Sequence, residues 1–392
     1  RSRAIRNLDA NVERFRTALE ARGGHVHRAA DADAARKTVV ELCRAAGART
    51  VAKGKSMASE EIGLNDALSA AGIRPVETDL GEYLMQLAGE HPAHIIAPAI
   101  EKTADDVARL LESVDGRSVG PQLEALTGRA RELLREEFLA ADVGITGANF
   151  AVAETGSICL VENEGNQRLA TALPRVHIVV LGLERFVETT RDLAVCLRLL
   201  ARSSTGQRLT TNTVLLTGPR RAGEADGPSE LHVVVLDNGR AKLRGTRYEE
   251  MLNCIRCGAC LNVCPIYRKA GGAAYGPVYS GPMGAVLVPL LARAPDLPHA
   301  SSLCGACADA CPVKIPLHEL LLELRSDLVA ERVASRRERA AFALWSLLWS
   351  RPLGYRITTR IARVVQPAAP LFARPWSRGR ALPRLGRRYR DR

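Results

Sequence analysis

The segment Cys254-Ile-Arg-Cys257-Gly-Ala-Cys260-Leu-Asn-Val-Cys264-Pro265 places four cysteines at the spacing C-x2-C-x2-C-x3-C-P. This is the spacing of bacterial ferredoxins, in which the first three thiolates bind one [4Fe–4S] cluster and the fourth binds a neighbouring cluster. A second run, Cys304-Gly-Ala-Cys307-Ala-Asp-Ala-Cys311-Pro312, repeats the last three cysteines of the pattern. The two runs together predict a small α-helical ferredoxin-type module with two clusters.

The crossed sharing of cysteines assigns the ligands of the two clusters. The first site, for a [4Fe–4S] cluster, consists of Cys254, Cys257, Cys260 and Cys311, and the second consists of Cys264, Cys304 and Cys307. Ser301 stands where the full pattern would have its remaining cysteine. The second cluster is therefore either [3Fe–4S] or a [4Fe–4S] cluster with a non-cysteine ligand, such as the hydroxyl of Ser301 or Ser302.

Zinc and disulfides are the alternatives for these cysteines. Zinc also binds C-x2-C pairs, but it does not require seven cysteines in two crossed runs that each end in Cys-Pro. Disulfides require an oxidising compartment, and no secretory signal is visible. Cys43, Cys159 and Cys196 stand alone among apolar residues, where we expect buried free thiols.

The length of 392 residues predicts two or three domains. The net charge of +12 suggests a nucleic-acid partner until it is mapped along the chain. Residues 331–392 contain sixteen arginines, no lysine and three acidic residues, so the tail carries the whole excess. No run approaches the roughly 20 apolar residues that span a membrane, and because the chain opens on Arg1 we expect the native chain to begin earlier.

Helical and β-rich patterns alternate over the first 245 residues. Helical spacing of apolar residues predicts helices over 4–21, 32–46, 59–70, 80–88, 105–113, 122–140 and 192–201. Short apolar or β-branched runs predict strands at 50–52, 75–77, 94–97, 143–146, 157–162, 177–181, 213–217 and 231–236. This alternation indicates an α/β domain with a parallel or mixed sheet covered on both faces.

Three segments follow from these patterns: an α/β domain over 1–245, the ferredoxin-type module over 246–328, and a basic tail over 329–392 that contains all three tryptophans. A short apolar helix over 340–348 is too short to span a bilayer. We expect it to dock on a partner subunit or on the protein itself, with peripheral membrane contact as the less favoured alternative. After Pro367 the Pro- and Arg-rich chain is expected to lack regular structure.

Two stretches of the α/β domain resemble ligand sites without completing a known motif. Lys53, Gly54, Lys55 and Ser56 follow a strand, but Arg49 stands where a phosphate-binding loop needs glycine, so NTP hydrolysis is excluded. These residues either bind an anion or form a solvated turn. No dinucleotide-binding, nucleophile-elbow or zinc-protease motif is present.

The second stretch, from Thr146 to Asn166, is rich in glycine and carries Glu154, Glu162 and Glu164 with Asn149, Asn163 and Asn166 nearby. Small residues here permit close approach of a ligand, and the alternative is a β-hairpin with polar turns. Glu154 is the nearest candidate for a catalytic carboxylate.

The chain resembles the lactate utilization protein B family over nearly its whole length. The resemblance lies in Lys55-Ser-Met-Ala-Ser-Glu-Glu-Ile-Gly-Leu-Asn65, Glu77-Thr-Asp-Leu-Gly-Glu-Tyr83 and Glu154-Thr-Gly-Ser-Ile-Cys-Leu-Val-Glu-Asn-Glu-Gly-Asn166, together with the two cysteine runs. It implies a LUD domain with a fold like that of the NagB/RpiA/CoA-transferase group, followed by a domain with two iron–sulfur clusters and seven cysteine ligands. It also implies oxidation of L-lactate to pyruvate in concert with LutA-like and LutC-like sister subunits.

Electron transfer is the function that these features favour, in an L-lactate oxidoreductase complex that allows growth on lactate and lies in the cytoplasm. An iron–sulfur subunit of another 2-hydroxy-acid oxidase is one alternative. A CoA-transferase-like protein, in which the clusters are structural and Glu154 is the nucleophile, is another. A nucleic-acid binder ranks last, because no nucleic-acid module accompanies the basic tail.

Overall fold

A computed structural model of the protein describes residues 1–276 and 278–368. Two compact units are present, Arg1–Arg325 and Ser326–Arg392. The predicted α/β domain and nearly all of the predicted ferredoxin-type module lie in the first unit. The prediction of irregular chain after Pro367 concerns residues 369–392, which lie outside the described residues.

Ten strands lie in the first unit. In chain order they are β1 (His25–Ala29), β2 (Thr50–Lys53), β3 (Arg74–Glu77), β4 (Val143–Thr146), β5 (Phe150–Val152), β6 (Ser157–Glu162), β7 (Val176–Gly182), β8 (Phe186–Val187), β9 (Asn212–Leu216) and β10 (Glu230–Leu236). Six of them form a fully parallel sheet in the order β1-β10-β7-β4-β2-β3. The other four form a smaller mixed sheet in the order β8-β5-β6-β9.

The α-helices of the first unit are α1 (Ser2–Arg6), α2 (Leu8–Glu20), α3 (Ala32–Ala45), α4 (Met57–Glu61), α5 (Leu64–Ala70), α6 (Leu80–Ala88), α7 (Ala104–Asp115), α8 (Leu123–Ala140), α9 (Asn166–Ala172), α10 (Thr190–Thr205), α11 (Ala259–Val263), α12 (Pro265–Ala270), α13 (Gly281–Leu291) and α14 (Ala306–Asp309), with α15 (Leu317–Ala330) continuing past its end. Side-chain caps start several of them: Asp31 accepts from the Ala34 N–H at α3, and Thr103 and Asp106 form a capping box at α7.

The parallel sheet is the core of the α/β part. Every residue of β4 and β7 is buried, as expected for central strands covered on both faces. One face packs against α3 and α5, with Val39, Leu68 and Val180 in the shared core. On the other face α2 and the smaller sheet pack together through Phe15, Phe186 and Val233. The predicted α/β class with a parallel sheet is therefore confirmed.

Most predicted helices and strands are present within a few residues, but the strand predicted at 94–97 is wrong. This segment has no regular structure, and the His94 ring accepts hydrogen bonds from the backbone N–H groups of Ile96 (3.0 Å) and Ala97 (3.1 Å). A side chain that satisfies these donors replaces the ladder bonds of a strand. The segment instead lies between the α/β part and the cysteine-containing part, where Ile95 contributes to the lining of cavities in both.

The cysteine-containing part has its own core. Leu261, Met283, Val286 and Leu321 are buried there with two of the motif cysteines, Cys307 and Cys311. A short 3₁₀ helix, Glu249–Asn253, leads into Cys254. The Cys254–Cys257 loop reaches back to the α/β part, where Ile255 and Cys257 pack with Leu193 and Leu200 of α10.

The second unit contains α16 (Arg336–Trp349) and α17 (Pro352–Val365), and no residue of either helix is buried. Phe342, Trp345, Trp349 and Tyr355 form a row of ring contacts whose centroids are 5.1–6.4 Å apart. Among the described residues, no helix is both long enough and apolar enough to cross a membrane.

Candidate functional site

The structure places the cysteines of the predicted first site around one small cavity. Cys254, Cys257 and Cys260 come from the first run, and Cys311 comes from the second. The rest of the wall is mostly apolar and includes Ile95, Met283, Val313, Ile315 and Leu317. Two sequence segments about forty positions apart thus meet at one cavity.

The backbone around these cysteines is shaped to direct N–H groups at sulfur. Arg256 and Gly258 adopt positive φ angles of 59° and 78°, a conformation that few residues other than glycine adopt readily. The turn lets the Arg256 N–H donate to Cys254 Sγ at 3.4 Å, and the Ile315 N–H donates to Cys311 Sγ at 3.4 Å. Such bonds stabilise negative charge on sulfur, as iron ligation requires.

The second site groups the remaining motif cysteines. Burial raises the pKa of Cys307, and charge on Cys264 and Cys304 raises it further, so the three sulfurs are electrostatic neighbours. Cys264 Sγ accepts from the Tyr267 N–H at 3.5 Å. Cys307 also helps to raise the pKa of Cys260 of the first site, after burial and Cys254, so the two sites are adjacent.

Ser301 repeats the local geometry of Cys254. Leu303 and Gly305 adopt positive φ angles of 57° and 82°, like Arg256 and Gly258 in the first run. The Leu303 N–H donates to Ser301 Oγ at 3.1 Å, which is the counterpart of the N–H bond to Cys254 Sγ. The loop before Cys304 therefore repeats the backbone geometry of the Cys254 loop, with a hydroxyl at the position of the thiol.

Within residues 1–276 and 278–368, no three His, Cys, Asp or Glu side chains are placed to hold one metal ion. Each thiolate of a cubane cluster binds a different iron. Burial raises the pKa of Cys257 to about 11, so iron would have to displace its proton.

A buried ion-pair network joins the first cysteine loop to the α/β part. Glu184, after β7, accepts from Arg256 Nη2 at 3.0 Å and from Arg240 Nε at 2.6 Å. Arg240 Nη2 also donates to Glu61 Oε2 at 2.6 Å, and that oxygen accepts from the Tyr279 hydroxyl at 2.6 Å. Gly182 makes room for the network, because a Cβ there would lie 2.3 Å from Glu184 Oε2.

A second cavity, which we call the carboxyl-edge pocket, opens where three adjacent strands of the parallel sheet end. Its volume is about 240 Å³, and the loops after β2, β4 and β7 contribute Lys55, Gly147 and Arg185 to its lining. Ligands of open α/β sheets bind outside the carboxyl ends of the strands, so this is the expected place for one. Ile95 and Arg256 line both this pocket and the first cysteine cavity.

The structure brings all but one of the acidic and amide residues named in the glycine-rich stretch into this pocket. Asn149, Glu162, Asn163, Glu164 and Asn166 all line it. Burial raises the pKa of Glu164 to about 7, with Asp79 as the second cause. Burial lowers the pKa of Lys55, whose ammonium donates to the Ile96 carbonyl at 3.0 Å.

Lys53 and Ser56, which lie on either side of Lys55, have structural roles. Lys53 is fully buried, and its ammonium pairs with Glu77 at 2.5 Å and Glu60 at 2.8 Å. Ser56 caps α4 by accepting from the Ser59 N–H. This turn is thus neither a phosphate loop nor a solvated one.

Glu154 lies apart from the pocket. Its Oε1 accepts from the Thr190 N–H at 2.6 Å and from the Thr190 hydroxyl at 2.7 Å, at the start of α10. These bonds lower the pKa of Glu154. The carboxylate therefore satisfies a helix terminus and does not line the carboxyl-edge pocket.

Sequence reasoning missed Glu184, Arg185, Arg240 and Arg256. The available signal was the pair Glu184-Arg185 between Leu183 and Phe186, directly after an apolar strand. Charged residues in such a setting are buried only when they have partners or a function.

Comparisons with known proteins agree with this two-part arrangement. The family model described as "LUD domain" matches residues 12–236, and the one described as "4Fe-4S dicluster domain" matches residues 250–315. Lactate utilization protein B of Shouchella clausii is 45% identical over 405 residues, which cover 100% of this chain and 85% of the relative. The chain belongs to the lactate utilization protein B family.

Of two other relatives, one is named for lactate utilization and one for electron transport. Lactate utilization protein B of Macrococcus caseolyticus is 48% identical over 351 residues, covering 88% of this chain and 74% of that protein. A protein of Escherichia coli K12 named "Uncharacterized electron transport protein YkgF" is 45% identical over 356 residues, covering 90% and 75%.

Among solved structures, a DUF162 family protein from Deinococcus radiodurans superposes with a TM-score of 0.31 at 17% identity, covering 58% of this chain and 98% of that chain. This structural similarity is too low to support an inference about the present chain. In this lactate utilization protein B family member, most of the carboxyl-edge pocket is lined by the LUD domain, and most of the first cysteine cavity is lined by the dicluster domain.

Proposed function

We propose that this chain is the iron–sulfur electron-transfer subunit of a complex that oxidises L-lactate to pyruvate and so allows growth on lactate. The observation that carries the proposal is the meeting of Cys254, Cys257, Cys260 and Cys311 at one cavity beside a second group of cysteines. When bound, two iron–sulfur clusters would accept and release electrons one at a time. The names of the relatives support lactate utilization and electron transport as the setting.

The chain's own residues set the environment of these sites. Cys254, Cys257, Cys260 and Cys311 would hold a [4Fe–4S] cluster, and Ile95, Met283 and Ile315 keep water from the first cavity. Arg256 adds a buried positive charge next to Cys254, which favours electron-rich states of the site.

For the second site, we propose Cys264, Cys304 and Cys307 as the thiolate ligands of a [3Fe–4S] or [4Fe–4S] cluster. Ser301 lies at the position of the fourth ligand, and its Oγ already accepts the N–H bond that sulfur accepts in the first run. With one sulfur fewer, this site should have a reduction potential different from that of the first. Equal potentials of the two clusters in an EPR-monitored redox titration would contradict this expectation.

The partners we propose are the LutA-like and LutC-like sister subunits, with a quinone, a cytochrome or a soluble carrier as electron acceptor. The exposed rings of the second unit give a surface for such a partner, with an anionic membrane as the alternative. We propose the cytoplasm as the location and do not include nucleic acid among the partners.

The test is anaerobic purification of the chain with its co-expressed sister subunits. We expect iron and acid-labile sulfide in amounts that match two clusters, and lactate-dependent bleaching of the visible absorbance. Zinc in place of iron would refute the cluster assignment. Bleaching by another 2-hydroxy acid but not by lactate would favour a different oxidase of the same class.

A matched pair of variants tests the ligand assignment. Cys311→Ala should remove about half of the iron, because it takes one thiolate from the first site. Cys159→Ala, a fully buried cysteine outside both sites, should keep the iron of the parent. Equal iron in the two variants would contradict the crossed assignment.

A further inference from the structure

Arg185 lines the carboxyl-edge pocket, and the carboxylate of Glu184, its ionic partner, is shared with two other arginines. Its side chain is 11% exposed, and its guanidinium makes no hydrogen bond to any residue in the described part of the chain. The nearest carboxylate oxygen, Glu184 Oε1, lies 4.0 Å from Arg185 Nε and already accepts from Arg256. Removing a cation from water costs several kcal/mol unless an opposite charge compensates it, so the geometry calls for an anion.

Two further donors at the same pocket are unused. Asn166 Nδ2 and Arg256 Nε, like Arg185 Nη1, are buried and lack a hydrogen-bond partner. All three residues line the carboxyl-edge pocket, and all three atoms are donors. Buried polar groups are nearly always satisfied, so the pocket has donors to offer to an acceptor-rich ligand.

The remaining charges of the pocket limit the charge of that ligand. Lys55 adds a third cation to Arg185 and Arg256, whereas Asp79, Glu162 and Glu164 add three carboxylates. The Glu162 carboxylate accepts hydrogen bonds from the backbone N–H groups of Gln167 and Arg168. It therefore remains an acceptor next to any bound ligand. A monoanion that also offers a hydroxyl or carbonyl suits this balance, and a phosphate dianion would be repelled.

We propose that the carboxyl-edge pocket binds a small monocarboxylate of the 2-hydroxy- or 2-oxo-acid class, and that the guanidinium of Arg185 holds its carboxylate. The fork of an arginine matches the two oxygens of a carboxylate. The choice of a 2-hydroxy or 2-oxo acid rests on the proposed function, whereas the preference for a monoanion rests on the pocket alone. Because Ile95 and Arg256 also line the first cysteine cavity, the bound acid would lie beside the predicted first cluster.

Direct binding to the full-length chain, purified anaerobically without its partners, tests the proposal. We expect isothermal titration calorimetry to detect L-lactate and pyruvate, and to find lactamide and inorganic phosphate at least tenfold weaker. Lactamide has the size of lactate but no charge, so it isolates the role of the carboxylate. Equal affinity for lactamide, tighter binding of phosphate, or no binding of either acid would overturn the proposal.

A matched pair of arginine variants locates the site. Arg185→Gln should weaken binding of L-lactate by roughly 10- to 100-fold, the usual effect of losing a hydrogen bond to a charged group. Arg175→Gln lies at the opposite end of β7, where Arg175 is exposed and pairs with Glu230, and it should bind like the parent. Unchanged affinity in Arg185→Gln, with a shifted potential of the first cluster, would assign Arg185 to the cluster instead and overturn the proposal.

A measurement on the parent chain guards against a variant that fails to fold. In hydrogen–deuterium exchange, lactate should slow the exchange of backbone amides in residues 163–167 and 183–187, which surround Asn166 and Arg185. Absence of protection in both segments at saturating lactate would overturn the proposal. Because neither readout needs an electron acceptor, these experiments can fail while the iron–sulfur assignment stands, and the reverse also holds.

Discussion

Replacing Glu184 by glutamine tests whether the buried ion-pair network holds the cysteine loop to the LUD domain. Glu184 is 3% exposed and accepts from Arg240 at 2.6 Å and from Arg256 at 3.0 Å. The variant would leave Arg240 with Glu61 and deprive Arg256 of its ionic partner. Loss of one partner from a buried pair costs about 3–5 kcal/mol, so we expect the free energy of unfolding to fall by about that amount.

The pH dependence of this loss is also fixed by the geometry. Burial acts to raise the pKa of Glu184, but Arg240, Arg256 and Arg185 outweigh it, and the pKa lies well below its ordinary value. A carboxyl group with a lowered pKa stabilises the folded state above its unfolded pKa, and this stabilisation is lost as the pH falls through the folded value. The difference between parent and variant should therefore be constant from about pH 7 to about pH 5 and shrink only in stronger acid.

Urea unfolding under anaerobic conditions, followed by far-UV circular dichroism and by visible iron–sulfur absorbance, measures the effect. The control is Glu188→Gln, which removes a pair with the exposed side chain of Arg3 and should cost about 1 kcal/mol or less. In Glu184→Gln the visible absorbance should be lost at lower urea than in the parent, because Arg256 belongs to the Cys254 loop. A loss no larger than that of the control would refute the role of the network.

Three further predictions concern other parts of the chain. Ser301→Cys should change the EPR spectrum of the second cluster by adding a fourth thiolate, whereas Ser302→Cys should leave it as in the parent; identical spectra in both would contradict the assignment of Ser301. Burial raises the pKa of Glu82 to about 8, so the folded chain holds a proton there that the unfolded chain releases above its ordinary pKa of about 4.5. The free energy of unfolding should therefore fall from about pH 5 to about pH 8, and Glu82→Gln should flatten this fall; parallel pH profiles would speak against a buried neutral carboxyl. Combined Trp345→Ala and Trp349→Ala should reduce co-purification with the sister subunits without changing iron content, and reduced binding to anionic lipid vesicles instead would favour the membrane alternative.

Local sequence patterns predicted most elements of the fold. The helix predicted over 80–88 is α6, and the strands predicted at 143–146 and 157–162 are β4 and β6. These predictions are correct because the signals behind them, apolar spacing and capping residues, are local and extend over only a few positions of the chain. The prediction for 94–97 was wrong because the His94 side chain accepts hydrogen bonds from the backbone N–H groups that a strand would need for its ladder. The spacing of apolar residues does not indicate such a side-chain bond.

Three strands were missed for a different reason. The strand β1 carries His25, His27 and Arg28, and β5 and β8 have only three and two residues. Their pairing partners lie far along the chain, since β1 pairs with β10 and β5 pairs with β8. Tertiary contacts, and not local preference, make such short or polar segments into strands.

The sequence by itself determined the candidate ligands of the two clusters, because the spacing of Cys254, Cys257 and Cys260 and the Cys-Pro ends of both runs are local properties. Only the tertiary structure decided which charged groups are buried and where they meet. Glu61, Glu184, Arg240 and Arg256 come from four distant segments, and the fold excludes water around them, so their pairing has no periodic signature in the sequence. The same holds for Arg185, whose place in a pocket can be seen only at the carboxyl edge of a sheet that is assembled from the LUD domain.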